Sequence, residues 1–290
     1  MVEGESCGKA RKNNFNYDYY SMTEITATYG HGTENDFVLI FDPEDSNPIS
    51  AEDCVKICDR KSGIGADGII RILKREGLWF MDYRNRDGSI AEMCGNGIRL
   101  MARYLVDRGH QAPGIFPIST RSGKKFISAP ESGDVTVNMG QVSLLPGEVQ
   151  CENPSIQGTG VKVDVGNPHT VFFVDSLTAA GDLNRAPKLN PESPDGTNVE
   201  FVHLRDDGEL EMRVYERGVG ETRSCGTGTC AVALAATIRA GARLPSKWII
   251  HPPGGRLVVE IDSHSNAILT GPAVLIKDLD ISTFITGSNI

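Results

Sequence analysis

The chain has 290 residues, long enough for two domains of ordinary size. Its 39% hydrophobic and 23% charged residues suit a globular protein with a sizeable core, and its formal net charge of −9, carried by scattered acidic residues, argues against nucleic-acid and membrane-surface partners, which both favour basic patches. No stretch approaches the roughly 18 apolar residues of a membrane helix and the N-terminus lacks the apolar core of a secretory signal, so a cytoplasmic location is expected.

The seven cysteines, at 7, 54, 58, 94, 151, 225 and 230, are odd in number and widely spaced, so no disulfide framework is expected. Cys54 and Cys58 are spaced i,i+4, not as C-x-x-C, and have no matching His/Cys cluster; they read as one side of a short helix, not a zinc site. Neither a metal nor a cofactor is expected.

Residues 1–23 mix Gly, Asn, Lys, Tyr and Ser without a period and read as an N-terminal extension. The pattern then predicts a strand over 37–41 and a helix over 51–60, with Ser50 as N-cap and Asp53 completing a capping box. A glycine-rich loop at 63–68 leads to a hairpin of strands 69–73 and 78–83. A helix follows over 96–108, with Ile98, Met101, Ala102 and Leu105 on one face and Gly109 as its terminator. Residues 115–150 alternate as hairpin strands, and strands at 161–165 and 171–174 flank a turn at Gly166-Asn167-Pro168-His169. Residues 181–198 read as loop with one helical turn, followed by strands at 200–204 and 210–215. A second helix runs to 240, with Ala231, Leu234, Ala235 and Ile238 on one face; strands at 248–251, 256–261 and 267–269 and a last one after Gly271 close the chain. Many short strands with one long helix in each half is not the βαβ alternation of a parallel sheet.

Each long helix begins with the same signature, Cys94-Gly95-Asn96-Gly97 and Cys225-Gly226-Thr227-Gly228, at an offset of 225 − 94 = 131. Other features keep nearly that spacing. Met81 matches Met212, Asn85 matches Glu216, and Gly65-Ala66-Asp67 matches Gly196-Thr197-Asn198; Asn35 and Asn167, each opening a turn into an apolar strand, are 132 apart. The chain reads as an internal duplication whose pseudo-twofold arrangement brings the two cysteines face to face across one cleft.

A cysteine at the mouth of a helix meets unpaired N–H groups and the positive end of the helix dipole, a setting that lowers a thiol's pKa. Gly-x-Gly alone could be a phosphate loop, but the third glycine of a dinucleotide fingerprint and the Gly-Lys-Ser/Thr of a Walker loop are both absent. Two thiols on opposite faces of a bound carbon suit stereochemical inversion, one removing a proton and the other delivering one. With no cofactor to delocalise the carbanion, the two helix N-termini would stabilise it by holding the substrate carboxylate. Glu216 and Arg217 could hold an ammonium and a second carboxylate, or form an ordinary surface pair. His169 is either a turn residue or a partner that tunes a thiol, and Cys230 reads as packing.

The residues His31-Gly32-Thr33-Glu34-Asn35-Asp36-Phe37, Gly63-Ile64-Gly65-Ala66-Asp67-Gly68, Asn85, the Gly166 turn, Asn198, the run from Glu216 to Thr222, both Cys-Gly-x-Gly signatures and Gly271-Pro272-Ala273 together resemble the diaminopimelate epimerases. The resemblance runs from about residue 25 to the end of the chain. It implies an α+β fold of two pseudo-twofold-related domains, each a mainly antiparallel, barrel-like sheet around a central helix. Residues 24–140, completed by a returning C-terminal strand within 271–290, would form one domain, and 141–270 the other. It implies cofactor-independent interconversion of LL- and meso-diaminopimelate in lysine and peptidoglycan precursor biosynthesis. By resemblance Cys94 and Cys225 are the acid/base pair, and the N–H groups of Gly95, Asn96, Gly226 and Thr227 bind the reacting carboxylate. Asn35 and Glu216 then lie near the reacting amine, His169 with Glu216 poises the thiols, and Asn85, Asn167, Asn198 and Arg217 recognise the distal centre. A homodimer is the expected assembly. Glu34 and Gly68 depart from the family's usual residues and bear on loop shape and one polar contact. The nearest rival is a proline racemase of the same fold; Asn85, Asn198 and Arg217 favour the longer, doubly zwitterionic ligand.

Overall fold

The computed structural model describes residues 24–285. The extension read at 1–23 and the last five residues of the returning segment lie outside the described residues.

Among the described residues eighteen strands form one continuous hydrogen-bonded sheet that wraps around two long helices. The short helix α1 (Ala51–Cys58) stands outside it; Ser50 Oγ accepts the Asp53 N–H at 3.0 Å, the N-cap its sequence predicts, and donates to Asp53 Oδ2 at 2.7 Å. It stops at Cys58 and not at residue 60, because Asp59 turns extended (ψ 124°). Helix α2 (Gly95–Asp107) ends at Gly109 and helix α3 (Gly226–Arg239) at Gly241, both with positive φ (72° and 61°). The following N–H groups close on the last turn, His110 onto Leu105 O at 2.8 Å and Ala242 onto Thr237 O at 3.0 Å.

The strand pairings repeat. The hairpin Thr26–Gly32 with Asn35–Phe41 runs parallel to Gly68–Arg75, which turns back into Leu78–Asn85. After α2, Gly114–Thr120 pairs parallel with Leu78–Asn85 and leads antiparallel through Gly123–Ala129 to Val135–Gln141. In the second half Val161–Asp164, Pro168–Phe173, Asn198–Leu204, Leu210–Glu216 and, after α3, Ser246–His251, Leu257–Ile261 and Asn266–Gly271 follow the same order and directions. Three connections join the halves. Val135–Gln141 lies antiparallel to its counterpart Asn266–Gly271, with Thr136 Oγ1 2.8 Å from Thr270 Oγ1. The final strand of each half then crosses to the first strand of the other: Ser143–Leu144 onto Val161–Asp164, and Val274–Asp280 onto Thr26–Gly32.

Register corrects one alignment drawn from sequence. Phe37 lies opposite Gly68, and His169 opposite Asn198, so Asn198 corresponds to Gly68, not to Asp67. The glycines before these strands, Gly65 (φ 79°) and Gly196 (φ 70°), keep the 131 offset, and one residue is lost just after.

Each long helix is enclosed by its half of the sheet, which removes the one-sided pattern expected for it. All residues of α2 from Gly95 to Val106 are buried, and α3 is buried from Thr229 to Thr237. Ile238, placed by sequence on the buried face of α3, is 48% exposed, because the last turn emerges beyond the sheet. Among the described residues no helix is long and apolar enough to cross a membrane.

Candidate active site

Both long helices are capped by cysteine. Cys94 (φ −135°, ψ 124°) and Cys225 (φ −122°, ψ 115°) have extended backbone, and their carbonyls accept the first helical bonds, from Ile98 and Thr229, at 2.9 Å. The glycines explain how the two ends meet. A Cβ on Gly226 would lie 3.3 Å from Gly95 Cα and 3.7 Å from Asn96 N, so the helix mouths touch backbone to backbone. The second glycine of each signature lets its helix settle on the sheet: a Cβ on Gly97 would meet Ile70 Cδ1 at 2.8 Å, and one on Gly228 would meet Glu200 Oε1 at 2.7 Å.

The meeting point is the floor of a cleft of about 880 Å³, lined from both halves. Cys94, Cys225, Gly95, Asn96, Gly226 and Thr227 line it, as do Asn35, Asn85, Asn167, Asn198, Glu216 and Arg217. First-turn N–H groups have no partner within their own helix. Here two sets of them, with the positive ends of two dipoles, converge on one place, which suits a carboxylate.

The thiols do not have the lowered pKa that a helix N-terminus predicts. Burial is the largest influence on Cys94 and pushes it up to about 11, reinforced by the Glu216 carboxylate; the Gly97 and Asn96 N–H groups and Arg99 only partly offset this. Cys225, 8% exposed, is pushed well above the ordinary thiol value by burial, then by Glu216 and Glu200, against the Thr227 hydroxyl (3.4 Å) and the Gly228 N–H (3.4 Å). Desolvation wins because a dipole terminus carries only about half a charge. Glu216 is itself raised by burial, with the Thr222 hydroxyl on its Oε1 acting the other way.

The polar residues nominated by sequence fall into two groups. Around Cys94, Asn35 presents Oδ1 to the sulfur at 3.5 Å and to Asn96 Nδ2 at 3.2 Å. The others are largely held by protein. Asn85 accepts from the Tyr83 hydroxyl (2.8 Å) and donates to Ser89 Oγ (3.0 Å). Asn198 bridges Pro168 O (3.1 Å) and the Arg217 N–H (3.0 Å), tying the Asn167 turn to the Arg217 turn. Arg217 is exposed, donates to Asp195 O at 2.9 Å and makes no ion pair among the described residues. His169 is buried between Glu200 Oε1 (2.7 Å from Nδ1) and Asn167 Oδ1 (3.0 Å from Nε2), and its hydrogen bonds go to these two side chains, not to a thiol.

Sequence reasoning missed Glu200, Asp67, Thr33, Ser224 and Arg99. Glu200 is wholly buried with Oε2 unpartnered among the described residues, at the position that Ile70 fills in the first half (Leu39 faces Ile70; Val171 faces Glu200). A charge inside the apolar run of residues 199–202 was the available signal. Thr33 and Ser224 share a 2.8 Å hydrogen bond, and Asn96 Nδ2 reaches Ser224 O at 3.1 Å, stitching the two helix mouths together across the cleft floor.

Solved structures with the same architecture define the fold class. A hydroxyproline epimerase from Agrobacterium vitis matches 88% of this chain and 92% of its own with a TM-score of 0.67 at 13% identity. A phenazine biosynthesis protein of the PhzF family from Bacillus anthracis matches 89% and 98% with a TM-score of 0.68 at 16% identity. The fold is thus the duplicated, helix-centred sheet that those proteins share. Sequence narrows the class further. The diaminopimelate epimerase family model matches residues 27–145 and 161–276. Diaminopimelate epimerases from Streptomyces coelicolor (43% identical; 88% of this chain, 95% of the relative) and Rhodococcus opacus (44%; 85% and 93%) are similar over nearly their whole length. The chain belongs to the diaminopimelate epimerase family.

Proposed function

We propose that this protein is a diaminopimelate epimerase that interconverts the LL and meso forms by a two-base thiol mechanism, in the cytoplasm, in the supply of lysine and peptidoglycan precursors. The observation that carries the reading is the meeting of two cysteine-capped helix mouths at one cleft floor, with Gly226 against Gly95 Cα.

In this mechanism one cysteine, as thiolate, takes the proton from Cα, and the other, as thiol, returns a proton to the opposite face. The carbanion's charge spreads into the carboxylate, where the N–H groups of Gly95, Asn96, Gly226 and Thr227 are pre-aimed. Both thiols are raised by burial, so one must ionise on substrate binding. An ammonium set between Glu216 and Asn35 favours that ionisation, as any nearby cation favours an anion. After each turnover the thiol and thiolate have exchanged places, and solvent resets them. We assign the closing bodies as residues 24–140 with the returning C-terminal strand, and residues 141–270; closure excludes water and strengthens every charge interaction inside.

Asn85, Asn167, Asn198 and Arg217 serve the distal amino-acid centre. The Arg217 guanidinium at the rim, which makes no ion pair among the described residues, supports a ligand with a second carboxylate. Proton–deuterium exchange at Cα of LL-diaminopimelate in D₂O, with proline as control, tests this. Exchange with proline and none with diaminopimelate would replace it with a proline-racemase activity. The working assembly we assign is a homodimer, and a monomer at micromolar concentration in sedimentation equilibrium overturns that part.

A further inference from the structure

Arg99 is a wholly buried side chain, 0% exposed, five residues after Cys94 on α2. Its Nη1 donates to Gly95 O at 3.2 Å and its Nη2 to Thr33 Oγ1 at 3.4 Å, while Nε has no partner among the described residues. No carboxylate pairs with it there; the one acting on it from a distance belongs to Asp134, on the surface. The other two buried arginines are compensated. Arg71 binds Asp42 and Asp45 at 2.5 Å and Asp82 at 3.1 Å, and Arg103 binds Asp107 at 2.8 Å.

An unpaired buried charge is among the most expensive features a fold can hold. This guanidinium is also fixed. Glycines at 32 and 271 clear its space, since a Cβ there would come within 3.3 Å and 3.5 Å of Nη2. Burial lowers Arg99 to about 10, which leaves it a cation at neutral pH. The position has no charged twin: 230 − 99 = 131, so α3 carries Cys230 there, a thiol that burial pushes up to about 12.

We propose that Arg99 is a positioning residue whose permanent buried charge is the countercharge of the Cys94 thiolate, making Cys94 the first of the two thiols to ionise. Cys94 is faced by Asn35, by Tyr83, by Glu216 and by the Asn96 and Gly97 N–H groups of its own helix; the cation acting on it is Arg99, whose Nη1 is held on the neighbouring Gly95 O. Arg99 is faced by Thr33, Cys230 and distant Asp134. The strongest influences on Cys225 are Glu216, Glu200, the Thr227 hydroxyl and the Gly228 N–H, none of them a cation. The duplicated site is thereby electrostatically lopsided: one helix mouth is backed by a full positive charge and the other by a carboxylate.

The role rests on Cys94 being an acid/base residue, but its test does not need turnover. Iodoacetamide alkylation of the full chain is followed against pH, with Cys94 and Cys225 quantified separately by peptide mass spectrometry. In the unsubstituted protein the Cys94 midpoint lies below that of Cys225; a Cys225 midpoint equal to or below it overturns the proposal even if no variant folds. In Arg99→Met the Cys94 midpoint moves up, so that its rate at pH 8 falls about tenfold, one pKa unit being a factor of ten in thiolate. Cys225 stays put and Arg99→Lys stays near the original. An unmoved Cys94 midpoint, or equal shifts at both cysteines, overturns the proposal. Absence of epimerase activity in the unsubstituted protein would count against the functional reading and leave these midpoints as informative as before.

Discussion

Asn35 turns its amide oxygen toward Cys94, with Oδ1 3.5 Å from the sulfur. The orientation follows from the other end of the amide, where Nδ2 donates to Asp67 Oδ2 at 2.8 Å. Asp67 is in turn held by the Arg60 guanidinium at 2.7 Å. Asp67→Asn keeps a single oxygen, which the Arg60 guanidinium claims, so that an amide N–H faces Asn35 and the Asn35 amide flips, presenting a donor to the thiol. The expected outcome is a fall in kcat of about tenfold with little change in unfolding free energy, since a single misdirected hydrogen bond is worth about 1–2 kcal/mol. Unchanged kcat would show that the amide's direction is not used.

Replacing either thiol removes one face of the reaction. Cys94→Ala and Cys225→Ala are each expected to lose at least about a thousandfold in epimerisation, within the span of a general acid/base. Far-ultraviolet circular dichroism is expected to match the unsubstituted protein, because Cys94 makes no side-chain capping bond and Cys225 loses only 3.4 Å contacts to the Gly228 N–H and the Thr227 hydroxyl. Near-normal turnover by either variant would end the two-base account.

The raised thiols also set a direction for stability. Cys94 titrates near its ordinary value, 9.0, when unfolded and at about 11 when folded, so the native state holds its proton more tightly. Its contribution is therefore fully present below pH 9 and is lost as pH rises toward 11. Denaturant unfolding from pH 7 to 10.5 is expected to show a steeper alkaline loss than in Cys94→Ala; parallel curves would mean that Cys94 is no harder to ionise in the fold. The acid limb of kcat/KM is expected above neutral pH for the same reason.

Periodicity and punctuation made much of this molecule legible. Cysteine before Gly-x-Gly marked both helix starts, glycine marked both ends, and the offset of 131 between Cys94 and Cys225 revealed the duplication before any strand was paired. What stayed hidden depends on burial and register. The thiols' pKa values were misjudged because desolvation is invisible in a motif, whereas helix-mouth N–H groups are implied by it. Asn198 was aligned with Asp67 because a one-residue loss beside Gly196 matters only once strands pair. Arg99 and Glu200 are each a charge inside an apolar run, and only their enclosure makes them costly. The enclosure of α2 and α3 also hid Ile238, since a helix ringed by sheet has no single apolar face.

Gly228 gives the sharpest test of the Glu200–His169 pair. Helix propensity alone favours alanine over glycine by about 1 kcal/mol, so Gly228→Ala would stabilise a free helix. Here its Cβ would lie 2.7 Å from Glu200 Oε1, the atom that holds His169 Nδ1 at 2.7 Å. The carboxylate is fully buried and its other oxygen has no partner among the described residues, so displacing it leaves a charge uncompensated, at about 3–5 kcal/mol. Packing should therefore override propensity, and Gly228→Ala is expected to destabilise by a few kcal/mol in denaturant unfolding. Glu200→Ala removes the atom that clashes. The double variant should then be no less stable than Glu200→Ala alone, which makes the two substitutions strongly non-additive. Additive losses would place the effect of Gly228→Ala elsewhere in the first turn of α3, most directly at Cys225 Sγ, 3.4 Å from the same Cβ.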